Sequence, residues 1–245
     1  MNRTIDLNCD VGEGISNESL VMPYISSCNI ACGGHAGDEL TITETIKLAQ
    51  LHDVKIGAHP SFPDSANFGR KVMQMPSRAL QQSIEAQINL VKQIAERLGV
   101  KLNHVKAHGA LYNLAATDQE LAQVLIDAMH NTMKNGYLYV PYKSLLHDMA
   151  IDNGINVKIE AFADRNYNAN FTLVSRTELN AVIEDKHLVL EHLLRMVLDG
   201  KLKTIEGKNL DMHAETFCIH GDNSHAVEIV KYLVSELPKR GIEIS

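Results

Sequence analysis

The 245-residue sequence contains no tryptophan, and aromatic residues make up only 5% of it. Scarce aromatic side chains disfavour stacking surfaces for sugars or nucleic-acid bases. The formal net charge is −7 and the basic residues form no cluster, so neither nucleic acid nor an anionic membrane surface is expected as a partner. No apolar run approaches the roughly 18 residues that span a bilayer, and the N-terminal residues lack the apolar stretch of a signal peptide.

Cysteine is also scarce and widely spaced. The four cysteines are Cys9, Cys28, Cys32 and Cys218, and none of them forms a C-x-x-C pair. A disulfide framework would be denser, and a structural zinc site would show paired ligands. We therefore expect reduced cysteines in a cytoplasmic protein. The sequence also lacks a G-x-S-x-G motif, which excludes the serine nucleophile elbow of α/β-hydrolases. It lacks a G-x-x-x-x-G-K-[ST] loop as well, which excludes a Walker-type nucleotide site.

Short β-branched runs alternate with longer helical patterns along the whole chain. The predicted strands are residues 4–9, 27–32, 54–58, 104–107, 137–140, 156–162 and 216–220. One strand about every 35 residues suits repeated parallel β-α units, each of which takes about 30 residues or more. Because no Pro- or Ser-rich linker divides the chain, we expect a single α/β domain over residues 1–245.

Helix signals lie between these strands. Ser77 is predicted to cap a helix that ends at Gly99, and Thr117 with Glu120 resembles a capping box. Further helices are predicted at residues 40–51, 145–152, 188–198 and 226–237. Residues 60–76 and 164–186 fit neither pattern, apart from a hairpin near residues 171–174. Long loops in compact α/β proteins are usually functional, so these two segments are predicted lids.

Polar side chains alternate with apolar ones along the strands and gather at the strands' C-terminal ends. In the first strand, Asp6, Asn8 and Asp10 point away from the apolar set. Helices cover the outside of an α/β barrel, so the polar set must face the lumen. The same alternation selects Asn29, His59, His104, Lys106, His108, Glu160 and His220, and His35, Asp164 and Asp222 follow just beyond strand ends. Burying such groups costs several kcal/mol unless they are paired, so a polar site is expected at this end of the barrel.

This set is compatible with a divalent metal site. Asp10, His35, His59 and His220 combine carboxylate and imidazole ligands, which suit zinc, manganese or iron. Their spacing matches no ligand motif such as H-E-x-x-H. The alternative is that these residues bind substrate and one another by hydrogen bonds, without a metal.

Acid–base chemistry and anion binding are also compatible with the set. A general base for water is expected among Asp10, Glu13, Asp164 and Asp222, with a histidine as proton donor to a leaving nitrogen. Groups able to hold a carboxylate or phosphate are Arg70, Lys106 and Arg165. For Arg70, on the first predicted lid, a surface salt bridge is the alternative.

Seven blocks of sequence follow one another in a characteristic order. They are residues 6–14 (DLNCDVGEG), 29–38 (NIACGGHAGD), 56–60 (IGAHP), 68–70 (FGR), 104–113 (HVKAHGALYN), 160–167 (EAFADRNY) and 218–222 (CIHGD). Together they resemble the LamB/YcsF family over nearly the whole chain. The chain departs from the family pattern at Gly34, where an aromatic residue is usual, at Ala107, where proline is usual, and at Asn180, where glycine is usual.

The resemblance implies a fold and an activity. The fold is an irregular seven-stranded β/α (TIM-like) barrel similar to polysaccharide deacetylases. The activity is the ATP-dependent hydrolysis of 5-oxo-L-proline to L-glutamate, with release of ADP and phosphate. It also implies two partner subunits, of B and C type, one of which helps to phosphorylate the lactam. Magnesium is expected with ATP, and the missing P-loop fits an ATP site on a partner.

On this basis the chain is predicted to bind the activated lactam and hydrolyse it. The predicted catalytic residues are Asp10, His35, His59, His108, His220 and Asp222. The predicted substrate-binding residues are Asn8, Glu13, Asn29, Arg70, Lys106, Glu160, Asp164 and Arg165. Two alternatives remain open: a metal-dependent amide or N-acetyl hydrolase that needs no ATP, and a non-catalytic subunit that presents 5-oxoproline to a partner.

Overall fold

Parallel strands and helices alternate in a computed structural model that describes residues 3–245. Residues 1 and 2 of the predicted domain lie outside this described part. The strands are β1 (Arg3–Val11), β2 (Ser27–Ala31), β3 (Lys55–His59), β4 (Leu102–Val105), β5 (Tyr137–Pro141), β6 (Asn156–Phe162), β7 (Lys201–Lys203), β8 (Asn209–Asp211), β9 (Thr216–Ile219) and β10 (Ile242–Ile244). β1 to β6 pair in sequence order, and β9 joins β6 to β1 and closes the barrel. The predicted seven-stranded β/α barrel is confirmed.

Helices connect successive barrel strands and cover the outside. They are α1 (Glu18–Val21), α2 (Glu39–Leu51), α3 (Ser77–Arg97), α4 (Gly109–Ala115), α5 (Gln119–Thr132), α6 (Leu145–Asp152), α7 (Lys186–Leu194) and α8 (Ala226–Glu236). The predicted helix at residues 188–198 is α7 followed by a π-helical turn, Arg195–Asp199. Within the described part of the chain, no helix has the length and apolar composition needed to cross a bilayer.

Two helix caps differ from the prediction. Pro76 holds the cap position of α3, which puts Ser77 inside the first turn with no capping hydrogen bond from its side chain. α5 starts one residue later than predicted, and Asp118 accepts the capping hydrogen bond from the Leu121 amide. Asp118 and Thr117 are both good N-cap residues, so the local sequence alone does not decide between them.

The strand alternation separates an apolar layer from a polar lumen. Leu7, Cys9 and Ile30 are fully buried between the strands and the surrounding helices, and they belong to the hydrophobic core. The alternate residues of the same strands face inward and are polar. The predicted direction of the polar set is therefore confirmed, and all these charges and amides must be satisfied inside the barrel.

The second long loop is held down by its own backbone contacts. Arg165 and Tyr167 make isolated antiparallel bridges with Val182 and Leu173, so the predicted hairpin is present but begins earlier than residue 171. The Arg165 guanidinium donates hydrogen bonds to the carbonyl oxygens of Ala181 (3.1 Å) and Val174 (2.5 Å). Arg165 therefore shapes this loop from inside the protein.

Candidate active site

A cluster of hydroxyl groups surrounds Asp6 and closes the barrel at the N-terminal ends of its strands. The carboxylate accepts hydrogen bonds from Ser26 and Ser27 at 2.7 Å, from Thr216 at 2.5 Å and from Tyr139 at 3.2 Å. Four hydroxyl donors satisfy one buried carboxylate, so this layer needs no ligand.

The next layer consists of amides and a neutral histidine. Asn29 donates to Asn8 at 2.8 Å and to Asp10 at 2.7 Å, and its own oxygen accepts from Nε2 of His104 at 2.7 Å. Burial lowers the pKa of His104 to about 3, so the ring is neutral at pH 7. Asn8 also donates to Glu160 at 3.0 Å. Asn8 and Asn29, predicted to bind substrate, are fully buried here and position the charged residues above them.

Lys106 is the central charge of the site. Its Nζ lies 3.0 Å from Asp10 Oδ1, from Glu160 Oε1 and from Cys218 Sγ, and 4.9 Å from the centre of the Phe162 ring. Burial disfavours the ammonium, but Asp10 and Glu160 outweigh it and hold the pKa of Lys106 well above its usual value. Burial likewise disfavours the Asp10 carboxylate, yet His59 and Lys106 hold its pKa well below the usual range. The ammonium and the Asp10 carboxylate therefore both stay charged at neutral pH.

Above Lys106, three histidines and one glutamate form a compact group, the His–Glu cluster (Glu13, His35, His59 and His108). Nδ1 of His108 lies 3.0 Å from Nε2 of His59 and 3.4 Å from Glu13 Oε1, which is 3.1 Å from Nε2 of His35. The His35 and His108 rings stack with their centres 3.7 Å apart. Burial lowers the pKa of His35, and burial together with the neighbouring histidines lowers the pKa of His108, so both rings are neutral at pH 7.

This cluster is the group in the described residues that can hold a metal ion, since one ligand atom from each member lies within 4.8 Å of all the others. It differs from the predicted ligand set in two positions: Glu13 and His108 take the places of Asp10 and His220. Asp10 lies beside the cluster, with its Oδ2 3.5 Å from Nε2 of His59.

His220 belongs to a separate group on the neighbouring strands. Its Nδ1 lies 2.9 Å from Asp164 Oδ1, and its ring stacks on Phe162 with centres 4.8 Å apart. Asn223 donates to the other oxygen of Asp164 at 3.1 Å. Burial disfavours the Asp164 carboxylate, but His220 and Asn223 lower its pKa below the usual value. Asp164 thus orients His220 rather than facing the cavity itself.

The mouth of the site carries two arginines around one carboxylate. Arg70 and Arg176 both pair with Asp222, and Arg176 does so through two hydrogen bonds of 2.9 and 3.2 Å. Both side chains remain partly exposed, at 41% for Arg70 and 31% for Arg176. Burial disfavours the Asp222 carboxylate, but Arg176 and the other neighbouring cations lower its pKa below the usual value. Asp222, predicted to be catalytic, here joins the two long loops.

A cavity of about 340 Å³ connects these groups. The predicted site residues that line it are Asp10, His59, Arg70, Lys106, His108, Arg165 and His220. A second cavity of about 430 Å³ adjoins it and shares Tyr112 and Phe162. Tyr112 Oη and Glu160 Oε2 are buried polar atoms without a hydrogen-bond partner among residues 3–245. Orphaned atoms beside a cavity are the ones that a ligand can satisfy.

Three site residues were missing from the predicted set. Arg176 lies in an irregular loop, where no periodicity indicates its direction. Tyr112 lies on α4, and the one sequence signal that could have found it is its place in the block of residues 104–113. Cys218 could have been found, because it shares the inward face of the last strand with His220.

Comparison with known proteins shows the family of the chain. The family model of the LamB/YcsF family matches residues 5–245. The chain belongs to the LamB/YcsF family. It is 40% identical to the A subunit of 5-oxoprolinase from Pyrococcus horikoshii over 245 residues, covering 98% of this chain and 96% of that protein. It is 42% identical to the corresponding 5-oxoprolinase protein of Shouchella clausii, covering 98% and 97% of the two chains.

Solved structures place the LamB/YcsF fold among related barrels. The lactam utilization protein from Thermus thermophilus superposes with a TM-score of 0.91 at 33% identity, covering 98% of both chains. A family 4 carbohydrate esterase from Streptomyces lividans has a TM-score of 0.50 at 10% identity, covering 100% of this chain and 92% of the other. At that identity the likeness shows the fold alone, and it agrees with the predicted deacetylase-like barrel.

Proposed function

We propose that this LamB/YcsF chain is the A-type component of a 5-oxoprolinase and opens the lactam ring of 5-oxo-L-proline to give L-glutamate. The observation that carries the proposal is one cavity in which an ionised Asp10–Lys106 pair lies beside His59, His108 and His220 beneath a cationic mouth. Relatives that carry the 5-oxoprolinase name, at about 40% identity over the whole chain, support the same substrate.

The mouth suits the anionic part of the substrate. 5-Oxoproline carries one carboxylate, and its activated form adds a phosphate. Arg176 and Arg70 can hold either group because each keeps part of its side chain exposed while Asp222 fixes its position. Deeper in the site, the partnerless Glu160 Oε2 and Tyr112 Oη suit the lactam N–H and carbonyl oxygen. Arg165 holds the loop that carries Arg176, through its hydrogen bonds to the carbonyl oxygens of Ala181 and Val174.

The chemistry needs activation, water and a proton donor. A lactam is a poor electrophile, so phosphorylation of its oxygen by ATP, with a partner protein, creates a reactive carbon and a leaving group. Water then adds to that carbon, and the C–N bond breaks as the nitrogen takes up a proton, which leaves an acyl phosphate. A second water releases phosphate from this acyl phosphate and gives L-glutamate. We assign Asp10 as the base that positions water and His220, oriented by Asp164, as the proton donor. Asp222 becomes an arginine-positioning residue.

The direct test is glutamate release from 5-oxoproline with ATP and magnesium, using this chain with and without B-type and C-type partner subunits. Release that requires both the chain and its partners supports the proposal. No release from the complete mixture contradicts it. The expected reaction takes place in the cytoplasm, where the four buried thiols stay reduced.

Asp10→Asn tests the assigned base. The amide keeps the shape of the side chain but cannot take a proton, so the rate should fall at least ~100-fold while the folded structure remains. The matched control is Asp152→Asn at the exposed end of α6, which should keep full activity. Full activity in Asp10→Asn, with unchanged thermal melting, would remove Asp10 from the mechanism.

One observation favours a second candidate, a metal-dependent amide hydrolase that works without ATP. His59 and His108 of the His–Glu cluster line the cavity, so an ion held there would face the substrate. The requirement for ATP separates the two candidates. Amide cleavage by the isolated chain without ATP, abolished by a chelator, would favour the hydrolase.

A further inference from the structure

The protons of two histidines in the His–Glu cluster are fixed by backbone carbonyl groups. Nδ1 of His59 lies 2.7 Å from the Lys106 carbonyl oxygen, and Nε2 of His108 lies 2.9 Å from the Phe68 carbonyl oxygen. A carbonyl oxygen only accepts hydrogen bonds, so these two nitrogens carry the protons. In the neutral form of each ring, the other nitrogens, Nε2 of His59 and Nδ1 of His108, present lone pairs.

These two lone pairs face each other at 3.0 Å. Glu13 Oε1, another acceptor, lies 3.4 Å from the same nitrogen of His108 and 3.1 Å from Nε2 of His35. Electron-rich atoms this close repel one another unless a positive charge lies between them. A single shared proton would join one pair of these atoms. A metal ion would contact all four of them: Glu13 Oε1, Nε2 of His35, Nε2 of His59 and Nδ1 of His108.

We propose that Glu13, His35, His59 and His108 bind one divalent transition-metal ion through Glu13 Oε1, Nε2 of His35, Nε2 of His59 and Nδ1 of His108. This site goes beyond the proposed function, because the ring opening assigned above does not require it. It also replaces the ligand set predicted from sequence, in which Asp10 and His220 took part.

The distances suit such an ion. Bonds of about 2.0–2.1 Å arranged tetrahedrally separate neighbouring ligand atoms by about 3.3 Å. Three of the six separations among the ligand atoms, 3.0, 3.1 and 3.4 Å, are close to that value, and all six are within 4.8 Å. Three imidazoles with one carboxylate select zinc, manganese, iron or nickel over magnesium and calcium, which prefer oxygen ligands.

The surroundings of two of the three histidines resemble those of metal ligands in general, whereas Nδ1 of His35 is buried without a hydrogen-bond partner among the described residues. Histidine ligands usually donate their second N–H to a carbonyl or carboxylate, which fixes the ring and its tautomer. His59 and His108 both do so, through Lys106 and Phe68. The side chains of all four proposed ligands are at least nine-tenths buried, so water competes weakly for them.

The experiment is a metal titration of the untagged, full-length chain after treatment with a chelator. Zn²⁺ and Mn²⁺ are titrated separately by calorimetry, and bound metal is then measured by mass spectrometry after gel filtration. We expect one ion per chain. Replacing a residue behind a ligand weakens binding about 10–100-fold, so His35→Gln and His108→Gln should weaken it at least ~100-fold.

Three further variants sharpen the result. Glu13→Gln changes the ligand least and should still weaken binding, which covers the case in which a histidine variant unfolds. His130→Gln alters an exposed histidine of α5 and should bind as the unchanged chain does. His220→Gln should also keep the ion, because Asp164 holds His220 away from the cluster.

The proposal is overturned if no ion binds stoichiometrically, which would leave a shared proton between His59 and His108. It is also overturned if the ion stays bound in the folded Glu13 and His108 variants, or if it is lost in the His220 variant. The titration uses neither ATP nor 5-oxoproline. Its outcome is therefore independent of whether the chain releases glutamate with its partners.

Discussion

Removing the Lys106 ammonium should destabilise the folded protein in a way that depends on pH. Lys106→Met keeps most of the side-chain volume but takes away the cation that lies 3.0 Å from both Asp10 and Glu160. Two buried carboxylates then face each other without a counter-charge. Breaking a buried ion pair by removing one partner costs about 3–5 kcal/mol, so we expect a loss of that size near neutral pH.

The direction of the pH effect follows from the same charges. Without Lys106, burial and mutual repulsion raise the pKa values of Asp10 and Glu160 in the folded state above those of the unfolded chain. The folded variant then binds more protons, so its stability falls as the pH rises through the raised pKa values. The difference in unfolding free energy between the unchanged chain and the variant should therefore be larger at about pH 8 than at about pH 5.5.

Urea unfolding of both proteins at the two pH values measures this difference. Lys47→Met, on the exposed face of α2, is the control and should change stability by no more than about 0.5 kcal/mol. Adding Glu160→Gln to the Lys106 variant should restore part of the loss, because one buried charge is removed. A loss below about 1 kcal/mol at both pH values would refute the account of Lys106 as the central counter-charge.

Three further predictions concern other parts of the molecule. Burial lowers the pKa of His104 from 6.5 to about 3 and that of His192 to about 4, so the unfolded chain binds more protons below pH 6.5. Together they should reduce stability by about 4 kcal/mol between neutral pH and pH 5, and an unchanged urea midpoint there would contradict this. Gly57→Ala places a methyl group on the His104 ring, and overpacking should cost about 1–3 kcal/mol, measured as a lower free energy of unfolding. An unaltered value would mean that the ring moves aside freely. Arg176→Gln should raise KM for 5-oxoproline about 10-fold with little change in kcat, whereas an unchanged KM would show that the Arg176–Asp222 pair does not face substrate.

The barrel was predictable because its signals are local and repeated. Each strand shows its own alternation, and the seven predicted barrel strands all begin and end within two residues of the observed bounds. β7, β8 and β10 have three residues each, which is too short for a period to show. His192 on α7 is buried, with its ring centre 6.2 Å from that of Tyr167, and α7 packs against α8.

The sequence predicts which residues enter the site, but it does not predict which of them contact one another. Alternation tells which side chains enter the lumen, whereas the stagger between strands decides which of them meet. His108 follows β4 and Glu13 follows β1, and their contact depends on the curvature of the whole barrel. Arg176 and Asp222 pair although they lie 46 positions apart in sequence. Arg176 lies in an irregular loop, whose sequence shows no periodicity that would predict this contact. Asn180, where glycine is usual in the family, adopts a φ of +60°, a conformation that asparagine tolerates better than most residues.

The closure of the barrel by β9 has a consequence for how the protein folds. β1 is synthesised before β9, yet one edge of β1 pairs with β9, and Asp6 meets Thr216 across 210 residues. Until β9 is made, that edge of β1 is unpaired and the charged lumen is open to water. Contacts this distant in sequence form slowly, because the long loop between them must close first, so the pairing of β9 with β1 is a slow step. Asn8 donates both to Glu160 and to Thr216, so this step also completes the network beneath Lys106. A nascent chain that has not yet reached β9 therefore lacks Cys218 and His220, and its active site is incomplete however much of the barrel has already formed.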